Sequence, residues 1–210
     1  MRSRILSSVL AVAMATTLGA ALAAQGAPPA GGAAQGGGGG RGGGRGGGGF
    51  ALAPLLVESD AFPDGGIVPM KFAGRGGNTQ PGFKLSGAPA TAVSYAIIFH
   101  DIDVSLNSGT DDVLHWIAWN IPVAAGGIPE GSLPAGSVTG NNITQKPVYF
   151  GPGAPPGVRY HHYVFEFYAL NANLDIPQTS TRADLLKAME GKIVAKAAYV
   201  GRFRGEPPAK

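Results

Sequence analysis

The chain has 210 residues, 35 glycines, 17 prolines, no cysteine and a formal net charge of +3. Residues 1–49 hold four of the 16 basic residues and no acidic one, so residues 50–210 carry 12 basic and 13 acidic residues. A net charge near −1 excludes the basic footprint of a nucleic-acid-binding domain, and the lack of cysteine excludes stabilisation by disulfides.

The N-terminus has the layout of a cleaved secretory signal over residues 1–24. Arg2 and Arg4 precede an apolar run over residues 5–22, and small residues precede a cleavage site near residue 24. The alternative is an uncleaved membrane anchor, because the run approaches the roughly 20 apolar residues that a span requires. We prefer cleavage because the run is rich in Ala, Ser and Thr. The sequence thus predicts an exported protein, periplasmic or secreted, with no membrane span after cleavage.

Residues 25–49 are a low-complexity segment with 15 glycines, in which Arg41 and Arg45 are the charged residues. Such a composition buries too little apolar surface to offset its ordering entropy, so we predict a disordered linker. The repeat resembles the Arg-Gly-Gly segments of RNA-binding proteins. Two arginines in an exported chain favour the linker, and we expect no nucleic-acid partner.

Residues 50–210 are long enough for one core and consist mostly of short apolar runs between Gly, Pro and Asn turns. The predicted strands cover residues 55–57, 92–100, 113–121, 163–170 and 192–203. They predict a mostly β domain, an antiparallel β-sandwich. Residues 101–112 and 122–156 lack strong periodicity and predict long loops, which in a compact domain are functional or poorly ordered.

A helix is predicted over residues 182–190. Thr181 is the N-cap, and Asp184 follows three residues later, as in a capping box. Leu185 and Met189 are spaced by four and predict one buried face, and Gly191 ends the helix.

The strand at residues 113–121 reads VLHWIAWNI, and both of its faces are largely apolar. Alternation places His115 with Ile117, Trp119 and Ile121 on one face, which predicts a strand covered on both sides. A buried His115 needs a hydrogen-bond partner. Taken alone, His115 is best interpreted as a core histidine whose hydrogen bond is satisfied within the fold.

The stretch GVRYHHYVFEFYAL at residues 157–170 contains two adjacent histidines. Alternation on a strand places His161 on the aromatic face with Tyr163, Phe165 and Phe167, so this face points inward. His162 lies on the opposite face, with Val164, Glu166 and Tyr168, and is predicted to contact solvent.

Asp101 and Asp103 follow an apolar strand and share one face of an extended segment, with Ile102 opposite. Two carboxylates there fit a metal site, a general acid/base pair or turn residues that begin a loop. The turn interpretation is favoured without further context.

Five motifs occur in a characteristic order over residues 74–201. They are DID at residues 101–103, HWIAWNIP at 115–122, GPGAPPG at 151–157, HHYVF at 161–165 and YAL at 168–170. In this order they resemble the phosphatidylethanolamine-binding protein (PEBP) family, in particular its bacterial YbhB/YbcL or Raf kinase inhibitor-like branch. The helix and the strand that follows it also match the C-terminal layout of the family. Upstream of these motifs, Gln80 and Leu85 replace the Ser and Trp of the family pattern.

The resemblance implies a β-sandwich of PEBP type with a small surface pocket for an anionic group, such as phosphate or a phospholipid head group. The ligand-binding residues that it implies are Asp101, His115, His161 and Tyr163, with a rim shaped by Gly151, Pro152 and Pro155. Two imidazoles and a hydroxyl can donate to phosphate oxygens, and an aspartate can orient a histidine or receive an ammonium group.

The sequence suggests three functions, each from a different functional class. The preferred one is an exported, non-catalytic binding protein for a small phosphate-like or phosphoethanolamine-like ligand, without cofactor or metal. The alternative is an inhibitor that docks residues 122–156 on an extracytoplasmic protease or other enzyme. The third is a metal-dependent hydrolase, because Asp and His ligate zinc and manganese. The chain has no cysteine nucleophile and no Gly-x-Ser-x-Gly turn, so we predict no enzyme.

Overall fold

The computed structural model of the chain describes residues 53–206. The signal peptide predicted over residues 1–24 and the linker predicted over residues 25–49 lie outside the described residues, as do the first and last few residues of the predicted domain. In the described range, no helix has the length and the apolar character that a membrane span requires.

Residues 53–206 form ten strands and one α-helix. In chain order these are β1 (Ala53–Pro54), β2 (Leu56–Glu58), β3 (Gly66–Ile67), β4 (Phe83–Ser86), β5 (Ser94–Asp101), β6 (Val113–Pro122), β7 (Gly127–Ile128), β8 (Val138–Gly140), β9 (His161–Leu170), α1 (Arg182–Met189) and β10 (Ile193–Phe203).

The strands form two sheets. The large sheet has the order β1-β10-β9-β5-β6-β8, and β3 also pairs with β10; the small sheet has the order β2-β4-β7. The four long strands pair antiparallel, whereas β1 and β3 run parallel to β10. The predicted mostly β fold with one helix is confirmed, and the predicted strands and helix lie within two residues of observed elements. Strands β1, β3, β7 and β8 have only two or three residues, too few for a periodic pattern to be visible.

The core lies between the two sheets and is mainly aromatic. Phe99 and Phe165 stack with ring centroids 3.9 Å apart, and Phe83 of the small sheet contacts Phe165 and Phe167 at 4.9 and 5.0 Å. A second cluster on the other face of the large sheet packs Trp119 against the helix. Strand β6 is therefore covered on both sides, as its sequence predicts.

Helix α1 begins and ends as predicted. Thr181 and Asp184 form a reciprocal capping box, in which each side chain bonds the backbone N–H of the other residue. Leu185 and Met189 are fully buried against the large sheet. Gly191 follows with φ of +71°, a left-handed conformation that glycine adopts without steric cost.

The alternation assumed for β6 is wrong because the strand contains two bulges. Its register with β5 shifts between Tyr95 and Ile97 and again between Phe99 and His100, so β6 has an extra residue at each place. His115 consequently leaves the face of Ile117 and packs against Phe99 on the inter-sheet side, with ring centroids 5.2 Å apart. The second bulge aims this imidazole at the end of the sheet.

Candidate functional site

The candidate site is a cavity of about 200 Å³ where three strands of the large sheet meet. β5 is antiparallel to both β6 and β9, and Asp101 at its end pairs with Val113 and Tyr163 near the beginnings of those strands. Side chains from one end of β5 and the other ends of its neighbours therefore converge. The cavity is lined by Asp101, Val104, Val113, His115, Phe150, Gly153, Ala154, Pro155, His161 and Tyr163.

Asp101 fixes the orientation of His161. The His161 Nδ1 donates to Asp101 Oδ2 at 2.8 Å, while Asp101 Oδ1 accepts the backbone N–H of Asp103 at 3.0 Å. Asp101 is only 3% exposed, so both carboxylate oxygens are held in place. The hydrogen bond at Nδ1 leaves Nε2 as the His161 nitrogen for a ligand.

His115 is held in the same way by the backbone. Its Nδ1 donates to the carbonyl of Phe150 at 2.7 Å, and its ring stacks on the Phe150 ring. Burial lowers the pKa of His115, and the Phe150 carbonyl and the Asp101 carboxylate offset this only in part. At neutral pH the ring is therefore neutral, with the proton on Nδ1 and a lone pair on Nε2.

Tyr163 supports the rim of the cavity. Its hydroxyl oxygen accepts the backbone N–H groups of Gly153 and Ala154, at 3.3 and 3.0 Å. Burial raises the pKa of Tyr163 and the Asp101 carboxylate raises it further, so the hydroxyl stays protonated. The hydroxyl was expected to donate to a ligand, but its oxygen accepts from the rim, and a hydrogen bond with the Asp101 side chain contributes to its raised pKa.

Of the three expected rim residues, Pro155 lines the cavity whereas Gly151 and Pro152 do not. Gly151 donates its N–H to Asn78 Oδ1 at 2.8 Å, and the Pro152 carbonyl accepts from Gly74 at 2.9 Å. A Cβ on Gly151 would lie 2.1 Å from the carbonyl oxygen of Phe72. These two residues therefore anchor the rim segment to the neighbouring chain.

Asp103 and His162 form a separate pair outside the cavity. Asp103 Oδ2 accepts from the backbone N–H of His162 at 2.5 Å and from its Nδ1 at 2.8 Å, and Arg159 lies 3.2 Å from the other oxygen. Burial alone would raise the pKa of Asp103, but the hydrogen bonds from His162 and the charge of Arg159 lower it. His162 is on the outer face, as predicted, with 47% of its side chain exposed.

The two aspartates of the DID motif thus serve different histidines. Strand β5 ends at Asp101, and the hydrogen bond from the Asp103 N–H to the Asp101 side chain makes a turn there. Among the described residues, no group of three or more His, Cys, Asp or Glu side chains is arranged to hold a metal ion. The geometry agrees with the turn interpretation of these carboxylates.

The sequence reasoning missed the apolar wall of the cavity. Val104 comes from an irregular loop and directly follows the DID motif, which could have pointed to it. Phe150 precedes the GPGAPPG motif, which could have pointed to it, while Gly153 and Ala154 belong to the segment 151–156 that was expected to shape the rim. Gln80, where the chain departs from the family pattern, is buried elsewhere and donates to the carbonyl of Pro129.

Comparisons of the sequence with known proteins give one family. A family model described as "Phosphatidylethanolamine-binding protein" matches residues 58–204. A UPF0098 protein of Methanothermobacter thermautotrophicus is 36% identical over 153 residues, which cover 70% of this chain and 97% of the relative. The candidate lipoprotein LppC of Mycobacterium tuberculosis is 33% identical over 155 residues, which cover 74% of this chain and 75% of that relative.

Two solved structures share the fold. A candidate PEBP homologue from Chlamydia trachomatis superposes with a TM-score of 0.67 and 29% identity, over 73% of this chain and 99% of that one. YbcL of E. coli, described as a new member of the mammalian PEBP family, gives a TM-score of 0.67 and 25% identity, over 73% of this chain and all of YbcL.

Proposed function

The chain belongs to the phosphatidylethanolamine-binding protein family, and we propose that this binding protein holds the phosphate of a small molecule or of a phospholipid head group in its cavity. The observation that carries the proposal is the pair of imidazoles on one small cavity. His115 and His161 each have Nδ1 engaged by a fixed acceptor, which leaves both Nε2 atoms to a ligand.

The size of the cavity favours a head group over a larger ligand. Pockets for drug-sized molecules have volumes of roughly 300–1,000 Å³, and this cavity has about 200 Å³. Its apolar residues, among them Val104 and Phe150, lower the local dielectric and strengthen the few polar contacts. A phosphate with a short substituent matches these dimensions.

Binding is coupled to protonation at His115. The neutral imidazole presents a lone pair at Nε2, which repels a phosphate oxygen unless a proton lies between them. Because burial lowers the pKa of His115, the protein without ligand does not supply that proton at neutral pH. An anion that binds must bring the proton or favour its uptake, so the affinity for phosphate rises as the pH falls.

Calorimetry with inorganic phosphate and with phosphoethanolamine tests the proposal. We expect His161→Ala to weaken binding at least tenfold, because it removes one of the two imidazoles that line the cavity. His162→Ala is the matched control, since the neighbouring imidazole lies outside the cavity. We also expect tighter binding at pH 5.5 than at pH 7.5. Equal heats from the wild type and His161→Ala would refute the proposal.

The protein is proposed to be non-catalytic. Among the described residues that line the cavity there is no serine, threonine, cysteine or lysine, while Asp101 is engaged by His161 and the Tyr163 hydroxyl by the rim. The segment 122–156, which the inhibitor hypothesis uses for docking, contributes β7 to the small sheet, β8 to the large sheet and Phe150 to the cavity. These roles support ligand binding, and inhibition of a protein target stays a prediction from the sequence.

Export is part of the proposal, and the arrangement of residues 1–24 supports it. Intact mass measurement of the protein from its native host distinguishes the cleaved protein from the full-length chain. In the periplasmic or culture fraction, we expect the mass of a chain that begins near residue 25. A full-length mass in the membrane fraction would contradict signal cleavage.

A further inference from the structure

The segment that connects the cavity rim to β9 carries the most exposed large hydrophobic side chain among the described residues. Val158 is 96% exposed, whereas no other such side chain in residues 53–206 exceeds 58%. We call Gly157–Tyr160 the Val158 loop. A nearly fully exposed valine offers apolar surface that the fold itself leaves uncovered.

The Val158 loop connects two residues that line the cavity. Pro155 and His161 both line the cavity, and each is three residues from Val158. Since consecutive Cα atoms are about 3.8 Å apart, the Cα of Val158 lies at most about 11 Å from either residue. Any surface that contacts this tip is therefore brought next to the cavity.

The loop is held in its protruding position. Arg204 Nη1 donates to the carbonyls of Gly157 and Val158, at 3.0 and 3.3 Å. The same guanidinium lies 4.5 Å from the centre of the Tyr160 ring. Backbone pairing between Pro156 and Gly205 fixes the start of the segment. The exposure of Val158 is thus built into the fold by the end of β10 and the residues after it.

The charge around the loop is positive. Arg159, Arg202 and Arg204 surround it, with Arg202 on the Tyr160 ring at 5.9 Å. Arg159 pairs with Asp103, but neither Arg202 nor Arg204 forms an ion pair with an acidic residue of the described part of the chain. Glu206 is the acidic residue that shares the adjoining groove with Arg204.

Apolar surface continues beside the loop. A groove next to it is lined by Ile67, Met70 and Tyr160, and the first two side chains are 46% and 41% exposed. Proteins that bind the surface of a lipid bilayer combine apolar side chains at loop tips with a tyrosine at the interface and with arginines that form no ion pair. Cations of this kind attract anionic head groups.

We propose that the Val158 loop docks the protein on the surface of an anionic phospholipid bilayer, so that a head group of that bilayer reaches the cavity. This inference rests on the proposed function and names the source of the phosphate as a lipid in a membrane. A ligand that arrives from solution would not need the loop. One valine and a few cations give weak, reversible docking, which suits a protein that samples lipids.

Co-sedimentation of the full chain with vesicles tests the proposal. The vesicles contain phosphatidylcholine alone or phosphatidylcholine with 30% phosphatidylglycerol, with and without roughly 0.5 M salt to screen the charges. We expect binding to the anionic vesicles and its loss in salt. Equal binding to both compositions, or none to either, overturns the proposal.

Two substitutions with matched controls locate the contact. Val158→Asp should lower vesicle partitioning at least tenfold. Val93→Asp should not, because Val93 is also exposed but lies at the other end of β5, about 25 Å from Asp101. Arg202→Gln should reduce partitioning about fivefold, and Lys187→Gln on α1 should leave it unchanged. Equal losses from Val93→Asp and Val158→Asp would refute docking through the loop.

Calorimetry with inorganic phosphate separates this inference from the proposed function. Val158→Asp should keep the wild-type affinity, because Val158 does not line the cavity. If phosphate binds the wild type and the vesicles do not, docking is wrong and the cavity proposal stands. If phosphate gives no heat with the wild type, the proposed function fails, and the docking inference that rests on it fails as well.

Discussion

Two Asp–His pairs lie back to back on the large sheet, at the same end of β5. His100 and Asp101 are adjacent, so their side chains point to opposite faces. Asp101 bonds His161 on the cavity side at 2.8 Å, and His100 bonds Asp112 on the helix side at 2.5 Å. We refer to these as the open pair and the closed pair.

The closed pair is surrounded by charged partners. His100 Nε2 lies 4.0 Å from Glu166 Oε1, and the Glu166 carboxylate also accepts from the Tyr168 hydroxyl at 2.6 Å. Arg182 in the first turn of α1 donates to Asp112 at 2.6 Å. The His100 side chain is only 7% exposed. This network connects the helix to the sheet, and His100 Nε2 is buried within it without a hydrogen-bond partner, so no ligand reaches either ring nitrogen.

The open pair has the same chemistry but different surroundings. Around His161, the chain supplies a partner for Nδ1 and a cavity beside the ring. The comparison teaches that neither burial nor an Asp partner identifies a binding histidine. What identifies it is the environment of the second ring nitrogen, which is sealed from solvent in His100 and lies beside a cavity in His161.

Of the substitutions that test this comparison, Asp112→Ala is expected to have the largest effect. It removes the carboxylate that joins His100 to Arg182 and leaves a buried imidazole without its partner. The cost should be about 2–3 kcal/mol of unfolding free energy, since Asp112 is mostly buried. Urea denaturation measures this cost, and phosphate affinity should not change.

Asp111→Ala is the matched control, because Asp111 is exposed and its side chain makes no ion pair with the described residues. It should change stability by less than about 0.5 kcal/mol. Equal stabilities of the two variants would show that the closed pair does not hold the helix.

Two tyrosine substitutions compare the two faces of the large sheet, and their effects should be smaller. Tyr163→Phe leaves the backbone N–H groups of Gly153 and Ala154 without their acceptor, which should cost about 1–2 kcal/mol and weaken phosphate binding about tenfold. Tyr168→Phe loses the bond to Glu166 and should cost about 1 kcal/mol.

Only the cavity-side substitution should alter binding, so calorimetry and urea denaturation of both variants are needed. A loss of affinity in Tyr168→Phe equal to that in Tyr163→Phe would mean that the two faces are not independent.

Regular pairing explains why the sequence predicted β9 correctly. Its register with β10 runs without a shift past His161 and His162, and its register with β5 is regular up to Tyr163, so alternation separates the two histidines. Strand β6 carries two bulges, which no local pattern reveals, and the same reasoning gave the wrong face for His115. The family motifs supplied the polar residues of the site where alternation failed.

The remaining parts of the site depend on contacts between distant segments. Gly151 packs on the backbone at Phe72, and Tyr163 is used by a rim segment that comes before it in the chain. His100 directly precedes the DID motif and has no sequence feature that separates it from a ligand-binding histidine. Its role is decided by Asp112 and Arg182, which reach it only after the loop and the helix have folded.

The pH dependence of folding stability provides a further test of the cavity side of the large sheet. Because burial lowers the pKa of His115 below its ordinary value of 6.5, the unfolded chain binds the proton more readily. Stability should therefore be complete above pH 6.5 and fall as the pH drops toward the folded-state pKa. Urea denaturation between pH 5 and 7, in a buffer without phosphate, measures the slope.

His115→Asn should flatten this slope, because an amide can donate to the Phe150 carbonyl without titrating. His162→Asn is the matched control, because that imidazole lies on the outer face and outside the cavity. A wild-type slope in His115→Asn would assign the titration to another group.

The smallest effect is expected at the third Asp–His pair, Asp103 with His162, which lies outside both networks. The pKa of Asp103 is lowered in the folded protein, so its contribution is present above its ordinary value of 3.8 and disappears as the pH falls through the lowered value. Asp103→Asn should lower the melting temperature by a few degrees at pH 7, and the difference should shrink at pH 2, where more of the carboxyl is protonated. Circular dichroism melts at both pH values measure it, with Asp111→Asn as the control. A difference that persists at low pH would mean that Asp103 acts through the shape of its turn, because the asparagine would then fail even where the aspartate is uncharged.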